Sequence, residues 1–94
     1  MMNQICKKIT ISGKVQGVGY RHWLQKLCKE NKIKGWVKNK KNGEVEAAFY
    51  DLEDEIFKNV LSNCFIGPTK AEVANILVED LTDRVVADNF EIIN

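Results

Sequence analysis

The sequence predicts an α+β fold, a mostly antiparallel sheet with two helices on one face. Three observations carry this expectation. Runs of alternating apolar residues, the mark of half-buried strands, are interleaved with two runs of helical spacing. Asn42-Gly43 sits between two strand-like runs and marks a central hairpin. The chain has 94 residues, room for one domain over 1–94 with one core.

Each element has its own signal. Lys7 to Ser12 reads as a strand, with Ile9 and Ile11 on one face. A loop punctuated by Gly13, Gly17 and Gly19 follows. Tyr20, Trp23, Leu24, Leu27 and Cys28 recur at helical spacing and predict a helix to about Asn31. Ile33 to Asn39 is a second strand, and Asn42-Gly43 predicts a tight turn whose two central residues both take positive φ. Val45, Ala47 and Phe49 alternate in a third strand. Asp51 to Asp54 offers capping and acidic first-turn residues to a second helix, with a buried stripe of Ile56, Phe57, Val60, Leu61 and Cys64. Gly67-Pro68 breaks the chain. From Lys70 to Asp80 a fourth strand changes apolar parity, from Ala71 and Val73 to Ile76 and Val78. A one-residue slip swaps sheet faces unless a bulge absorbs it, so a bulge is predicted near Ala74-Asn75. Phe90 to Ile93 forms a short last strand. The order β-α-β-β-α-β with one added strand is that of the ferredoxin-like sandwich. Many unrelated functions use that architecture, so function has to come from particular residues.

Composition narrows the classes. Hydrophobic residues at 45% and charged residues at 29% fit a folded domain rather than a disordered one. No apolar run approaches the roughly 20 residues that span a bilayer. Met1 to Lys8 has no apolar stretch of the secretory kind, so a cytoplasmic location without membrane attachment is expected. Cys6, Cys28 and Cys64 are odd in number and show no C-x-x-C spacing, and His22 is the sole histidine. Reduced thiols are expected rather than disulfides, and no metal site. Net charge is +1 but uneven: residues 1–43 hold 11 Lys/Arg and one acid, Glu30, whereas residues 44–94 hold three Lys/Arg and 12 acids. Two solvated surfaces of opposite sign account for this, and so does a positive field around an anion site in the first half. No apolar surplus is left once the helices and sheet are assigned, so a monomer is expected.

The segment from Gly13 to Arg21 joins a strand to a helix start. Helix N-termini expose unpaired N–H groups and partial positive charge. Glycines let such a loop curl so that successive N–H groups converge on one anion. Arg21, in the first helical turn, can add a planar pair of donors. Glycine content alone says little, because strand-to-helix turns often need it. The third glycine of a dinucleotide fingerprint is lacking, as is the Gly-Lys-Ser/Thr of a P-loop.

Two motifs make the loop specific. Gly-Lys-Val-Gln-Gly-Val-Gly-Tyr-Arg at 13–21 resembles the acylphosphatase signature, and Gly-Trp-Val-Lys-Asn at 35–39 resembles that family's second motif. Asn42-Gly43, Val45-Glu46, Gly67-Pro68, Ala71, Val73, Phe90 and Ile92 follow at the family's spacing, so the resemblance spans nearly the whole chain. It implies hydrolysis of the carboxyl-phosphate bond of a small acyl phosphate, with no cofactor and no metal. The backbone of the loop Val15, Gln16, Gly17, Val18, Gly19 and Tyr20 together with Arg21 would hold the phosphate, and Asn39 would place the attacking water. A carboxamide suits that task, since it can accept a water proton, donate elsewhere, and carries no charge to repel an anion.

Against the family pattern, Gly19 replaces a residue that is often bulkier, Asp51 replaces a frequent glycine, Asn42 replaces an aspartate, and Asn94 ends the chain where an aromatic is common. His22 reads as a surface or supporting residue, Trp23 and Trp36 as packing, and Lys38, Lys40 and Lys41 as a solvated hairpin. An RNA-binding module on the same fold would need a basic-Gly-aromatic pattern in the third strand. Gly43 to Asp51 lacks it despite Phe49 and Tyr50, so no nucleic-acid partner is expected. A metal-carrying module would need C-x-x-C where Gly17-Val18-Gly19 stands.

Overall fold

The computed structural model describes residues 4–82 and 87–94. In chain order it contains β1 (Gln4–Lys14), α1 (Tyr20–Glu30), β2 (Lys34–Asn39), β3 (Val45–Glu53), α2 (Asp54–Ile66), β4 (Glu72–Asp80) and β5 (Phe90–Ile92). They form one five-stranded sheet of order β4-β1-β3-β2-β5. Three neighbouring pairs are antiparallel, and β2 with β5 is the parallel pair. This is the expected ferredoxin-like arrangement with β5 added at one edge.

The two periodicities meet in one core. From the sheet come Ile9, Ile11, Val37, Val45, Ala47 and Phe49, from α1 Tyr20, Leu24 and Cys28, and from α2 Phe57, Val60 and Cys64. Both helices therefore cover the same sheet face. Phe49 lies at its centre, with ring centroids 6.0 Å from Phe57 and 5.8 Å from Phe90. On the opposite face charges alternate across the strands: Glu79 and Glu46 flank Lys8 at 4.0 and 3.6 Å, and Lys38 is 3.6 Å from Glu46. Together with the Lys7–Asp80 and Lys40–Glu44 pairs, this sets acids of the second half against cations of the first. The two charge halves of the sequence thus interleave in space.

The predicted bulge in β4 is present. Ser12 pairs with Asn75 and Gly13 with Val73, leaving Ala74 as the extra residue. A second irregularity was not expected. Between Ile5 and Lys7 of β1, β3 advances from Leu52 to Phe49, with Asp51 at φ 52°. The frequent family glycine at this position thus corresponds to a left-handed residue in a bulge, which aspartate tolerates better than most.

Several expectations are corrected. β3 runs through Asp51 to Glu53, so the N-cap of α2 is Glu53, without a side-chain capping bond, and the acids of its first turn are Asp54 and Glu55. The central hairpin is not a two-residue turn. Lys40 N–H donates to Glu44 O at 2.8 Å and Gly43 N–H to Lys40 O at 3.2 Å, enclosing residues 41–43. Gly43 has positive φ and Asn42 does not. A three-residue loop closing on a left-handed glycine is the next commonest hairpin solution. Asn42 Oδ1 accepts from Glu44 N–H at 3.1 Å, which fixes the turn from inside. The stripe of α2 is narrower than predicted, since Ile56 is exposed. An apolar surplus does exist: Phe65 (50% exposed), Ile66 (71%) and Leu77 (55%) face outward, so the premise for expecting a monomer does not hold.

Candidate active site

β1 and β2 are separated in the sheet by β3, and the loop leaving β1 arches across the start of β3 towards the end of β2. Val15, Gln16, Gly17, Gly19, Tyr20, Arg21, His22 and Asn39 line one cavity of about 180 Å³ there. The structure therefore brings together residues of both sequence motifs. Val18, expected among the phosphate-binding residues, is not in that wall. Its side chain is half-buried and packs against the core, which anchors the loop from behind.

Local geometry explains the shape of the loop. Val15 and Tyr20 are buried to 1% exposure and pin both ends. Between them Gly17 (φ 73°) and Gly19 (φ 80°) take left-handed conformations that reverse the chain while their faces stay open. Gly19 is also the N-cap of α1, and with no side chain it leaves the helix end uncapped. Trp23 N–H to Gly19 O is the first helical bond, so the N–H groups of Tyr20, Arg21 and His22 have no intrahelical carbonyl. No acidic residue occupies the first turn or lines the cavity. The positive end of the helix dipole is thus uncompensated at that wall.

Arg21 makes no hydrogen bond or ion pair among the described residues. Asn39 is half-buried as the last residue of β2, and its Oδ1 is fully buried without a hydrogen-bond partner. An unpaired buried acceptor is costly unless something donates to it. Among the described residues it is the sole buried side-chain polar atom in that condition.

The expected role of Gln16 is that of its backbone, and its side chain is engaged elsewhere. From its half-buried side chain, Nε2 donates to Lys40 O at 2.8 Å and to Glu44 O at 2.9 Å. No sequence spacing pairs residue 16 with residues 40 and 44, so this contact was illegible before folding. His22, read from sequence as a surface or supporting residue, is exposed and forms part of the cavity wall. Lys38 lies over the Trp36 ring at 5.5 Å, and Lys40 is 3.5 Å from Glu44. Neither lines the cavity.

The buried thiols of Cys28 and Cys64 offer no nucleophile here. Burial pushes the Cys64 thiol up to about 12 and raises that of Cys28 further. Burial likewise raises the Tyr20 phenol, whose hydroxyl donates to Cys64 O at 2.6 Å. No group of three His, Cys, Asp or Glu residues among those described is placed to hold a metal ion. No helix among them is long and apolar enough to cross a membrane. Phe49 and Tyr50, the aromatics that an RNA-binding reading would expose, are both buried.

Comparison with known proteins agrees with these motifs. The Acylphosphatase family model matches residues 7–92. An acylphosphatase of Rhodopseudomonas palustris is 33% identical, over 99% of this chain and 98% of its own length. Among solved structures, the acylphosphatase of Bacillus subtilis superposes with a TM-score of 0.89 at 27% identity, covering 96% of this chain and 99% of that one. That of Coxiella burnetii does so with a TM-score of 0.87 at 32% identity, covering 96% and 93%.

Proposed function

Since the chain belongs to the acylphosphatase family and is a hydrolase of acyl phosphates, we propose that Arg21, the loop amides and Asn39 are the groups that perform the hydrolysis. The carrying observation is that Asn39, whose buried Oδ1 has no hydrogen-bond partner, lines the same cavity as Arg21, whose guanidinium has no partner among the described residues. One supplies an acceptor for water and the other a forked donor for phosphate.

In this reading the phosphoryl group sits against the loop from Val15 to Tyr20. The N–H groups at the start of α1 and the Arg21 fork bind its non-bridging oxygens. The Asn39 carboxamide holds a water molecule by hydrogen bonding and orients its lone pair towards phosphorus, opposite the acyl oxygen. Water then forms a P–O bond as the bond from phosphorus to the acyl oxygen breaks. The products are a carboxylate and inorganic phosphate, with the proton of water passing to the phosphate product. A carboxylate leaves readily, so no strong general acid is needed. The barrier lies in alignment and in charge on the phosphoryl oxygens. Donors already fixed in place lower it without reorganisation. The neutral carboxamide of Asn39 does not repel the anionic substrate.

The test is release of inorganic phosphate from benzoyl or acetyl phosphate by chelator-treated protein, with Arg21→Ala and Asn39→Ala alongside. Turnover by the wild type that falls at least a hundredfold in each variant supports the assignment. Near-normal turnover in either variant removes that residue from the mechanism. Phosphate binding without turnover by the wild type leaves a phosphate-binding module.

A further inference from the structure

We propose that Gln16 is a positioning residue which sets the distance between the phosphate loop and Asn39, and so governs turnover rather than phosphate binding. The inference rests on the catalytic reading above. The loop grows from β1 and Asn39 from β2, two strands that are not neighbours. Strands lie about 4.8 Å apart, so the two halves of the site are held on strands about 10 Å apart. Sheet hydrogen bonds fix each strand but do not fix how far the loop leans over β3.

The Gln16 amide closes that gap. Its two bonds, of 2.8 and 2.9 Å, are the side-chain hydrogen bonds that join loop and hairpin among the described residues. They fall on the two carbonyls that close the turn. Lys40 O already accepts from Gly43 N–H and Glu44 O from Lys40 N–H, so Gln16 takes the second lone pair of each. Lys40 directly follows Asn39, and Gly17 directly follows Gln16. The clip therefore acts one residue away from the water-orienting group on one side and the anion-facing backbone on the other. A single donor group on two carbonyls fixes both distance and direction, as one bond to one carbonyl would not.

The consequence follows from the division of labour. Phosphate is held within the loop and α1, elements that the clip does not cross. Water is held by Asn39, across the clip. Loss of the clip leaves the anion site whole and displaces the water relative to phosphorus. Misplacement by about 1 Å can cost on the order of a hundredfold in rate.

The experiment compares the full-length wild type with Gln16→Met, of similar length but without donors, and Gln16→Asn, an amide one methylene shorter. The readouts are kcat with benzoyl phosphate and the competitive inhibition constant of inorganic phosphate, measured well below each variant's unfolding midpoint. Expected are a fall in kcat of about ten- to a hundredfold, and an inhibition constant within about threefold of wild type. In an Asn39→Ala background, Gln16→Met should then remove little further activity, because the clip acts through that residue. Unchanged kcat, or a rate loss matched by an equal loss of phosphate affinity, overturns the proposal. So does a fully multiplicative loss in the double variant. Should Gln16→Met not fold, Gln16→Asn carries the same comparison. An inactive wild type, or a fully active Asn39→Ala, would instead strike at the catalytic reading itself.

Discussion

Tyr20 donates its hydroxyl to the carbonyl oxygen of Cys64 across 2.6 Å, tying the first residue of α1 to the last turn of α2. Asn63 O is taken by Gly67 N–H, whereas Cys64 O lies among the final helical carbonyls that lack an intrahelical partner. The phenol thus satisfies a buried orphan and anchors the end of the loop between β1 and α1. Tyr20→Phe keeps the ring and its contact with Trp23, at 5.3 Å between centroids, and removes one bond. A buried carbonyl left unpaired costs about 1–3 kcal/mol. Thermal unfolding should show a midpoint lower by several degrees. An unchanged midpoint would mean that water replaces the hydroxyl.

The same packing makes stability sensitive to alkali. Unfolded thiols and phenols lose protons around their ordinary values of 9.0 and 10.0, but burial raises Cys28, Cys64 and Tyr20 well above these in the fold. Above pH 9 the unfolded chain therefore binds fewer protons than the native one. Stability then falls as pH rises, at about 1.4 kcal/mol per unit for each group that ionises only on unfolding. For Cys64 this loss continues until about pH 12. Urea unfolding between pH 7 and 10.5 should show a plateau below 8 and a decline above 9. Cys28→Ala should flatten that decline, and an equal slope in the variant would place its cause elsewhere.

Much of this molecule was legible in sequence, and what was not has identifiable causes. Strand and helix periodicity recovered all seven elements, and the parity slip around Ala74 located a bulge because a sheet face must stay apolar. The left-handed Asp51 bulge left no such trace, since both sides of it keep buried residues. The turn at Asn42-Gly43 was misjudged because its dipeptide suits two loop lengths, and the Lys40–Glu44 pairing that decides between them is non-local to it. Arg21 and Asn39 were singled out through short motifs, whereas the Gln16 contact depends on two strand ends meeting across a third.

Lys32 offers a stabilising change. It has φ 56°, immediately after the C-terminal end of α1, where Ile33 N–H donates to Cys28 O at 2.8 Å and closes the helix end. Glycine is the usual residue at such a left-handed position, because a Cβ is strained there. The Lys32 side chain is exposed. Lys32→Gly should therefore raise stability by about 1 kcal/mol, the strain relieved outweighing the entropy gained by the unfolded chain. Chemical denaturation would show a higher midpoint at unchanged slope. A lower midpoint would show that unfolded-state entropy dominates here.

Arg21→Lys separates charge from geometry at the candidate site. Both residues are cationic, so long-range attraction of an anionic substrate is retained. Lysine offers a compact ammonium in place of a planar fork, and cannot present two parallel N–H groups to two phosphoryl oxygens. With no protein group bonded to Arg21 among the described residues, no second contact compensates for that loss. If the fork acts on the transition state, Arg21→Lys should lose most of the hundredfold or greater factor expected for Arg21→Ala. Inorganic phosphate should still bind the lysine variant more tightly than the alanine one, by virtue of charge. Steady-state kinetics with phosphate as inhibitor measures both quantities. A lysine variant with near-wild-type kcat would show that a positive charge suffices, and would leave alignment to the loop amides and Asn39.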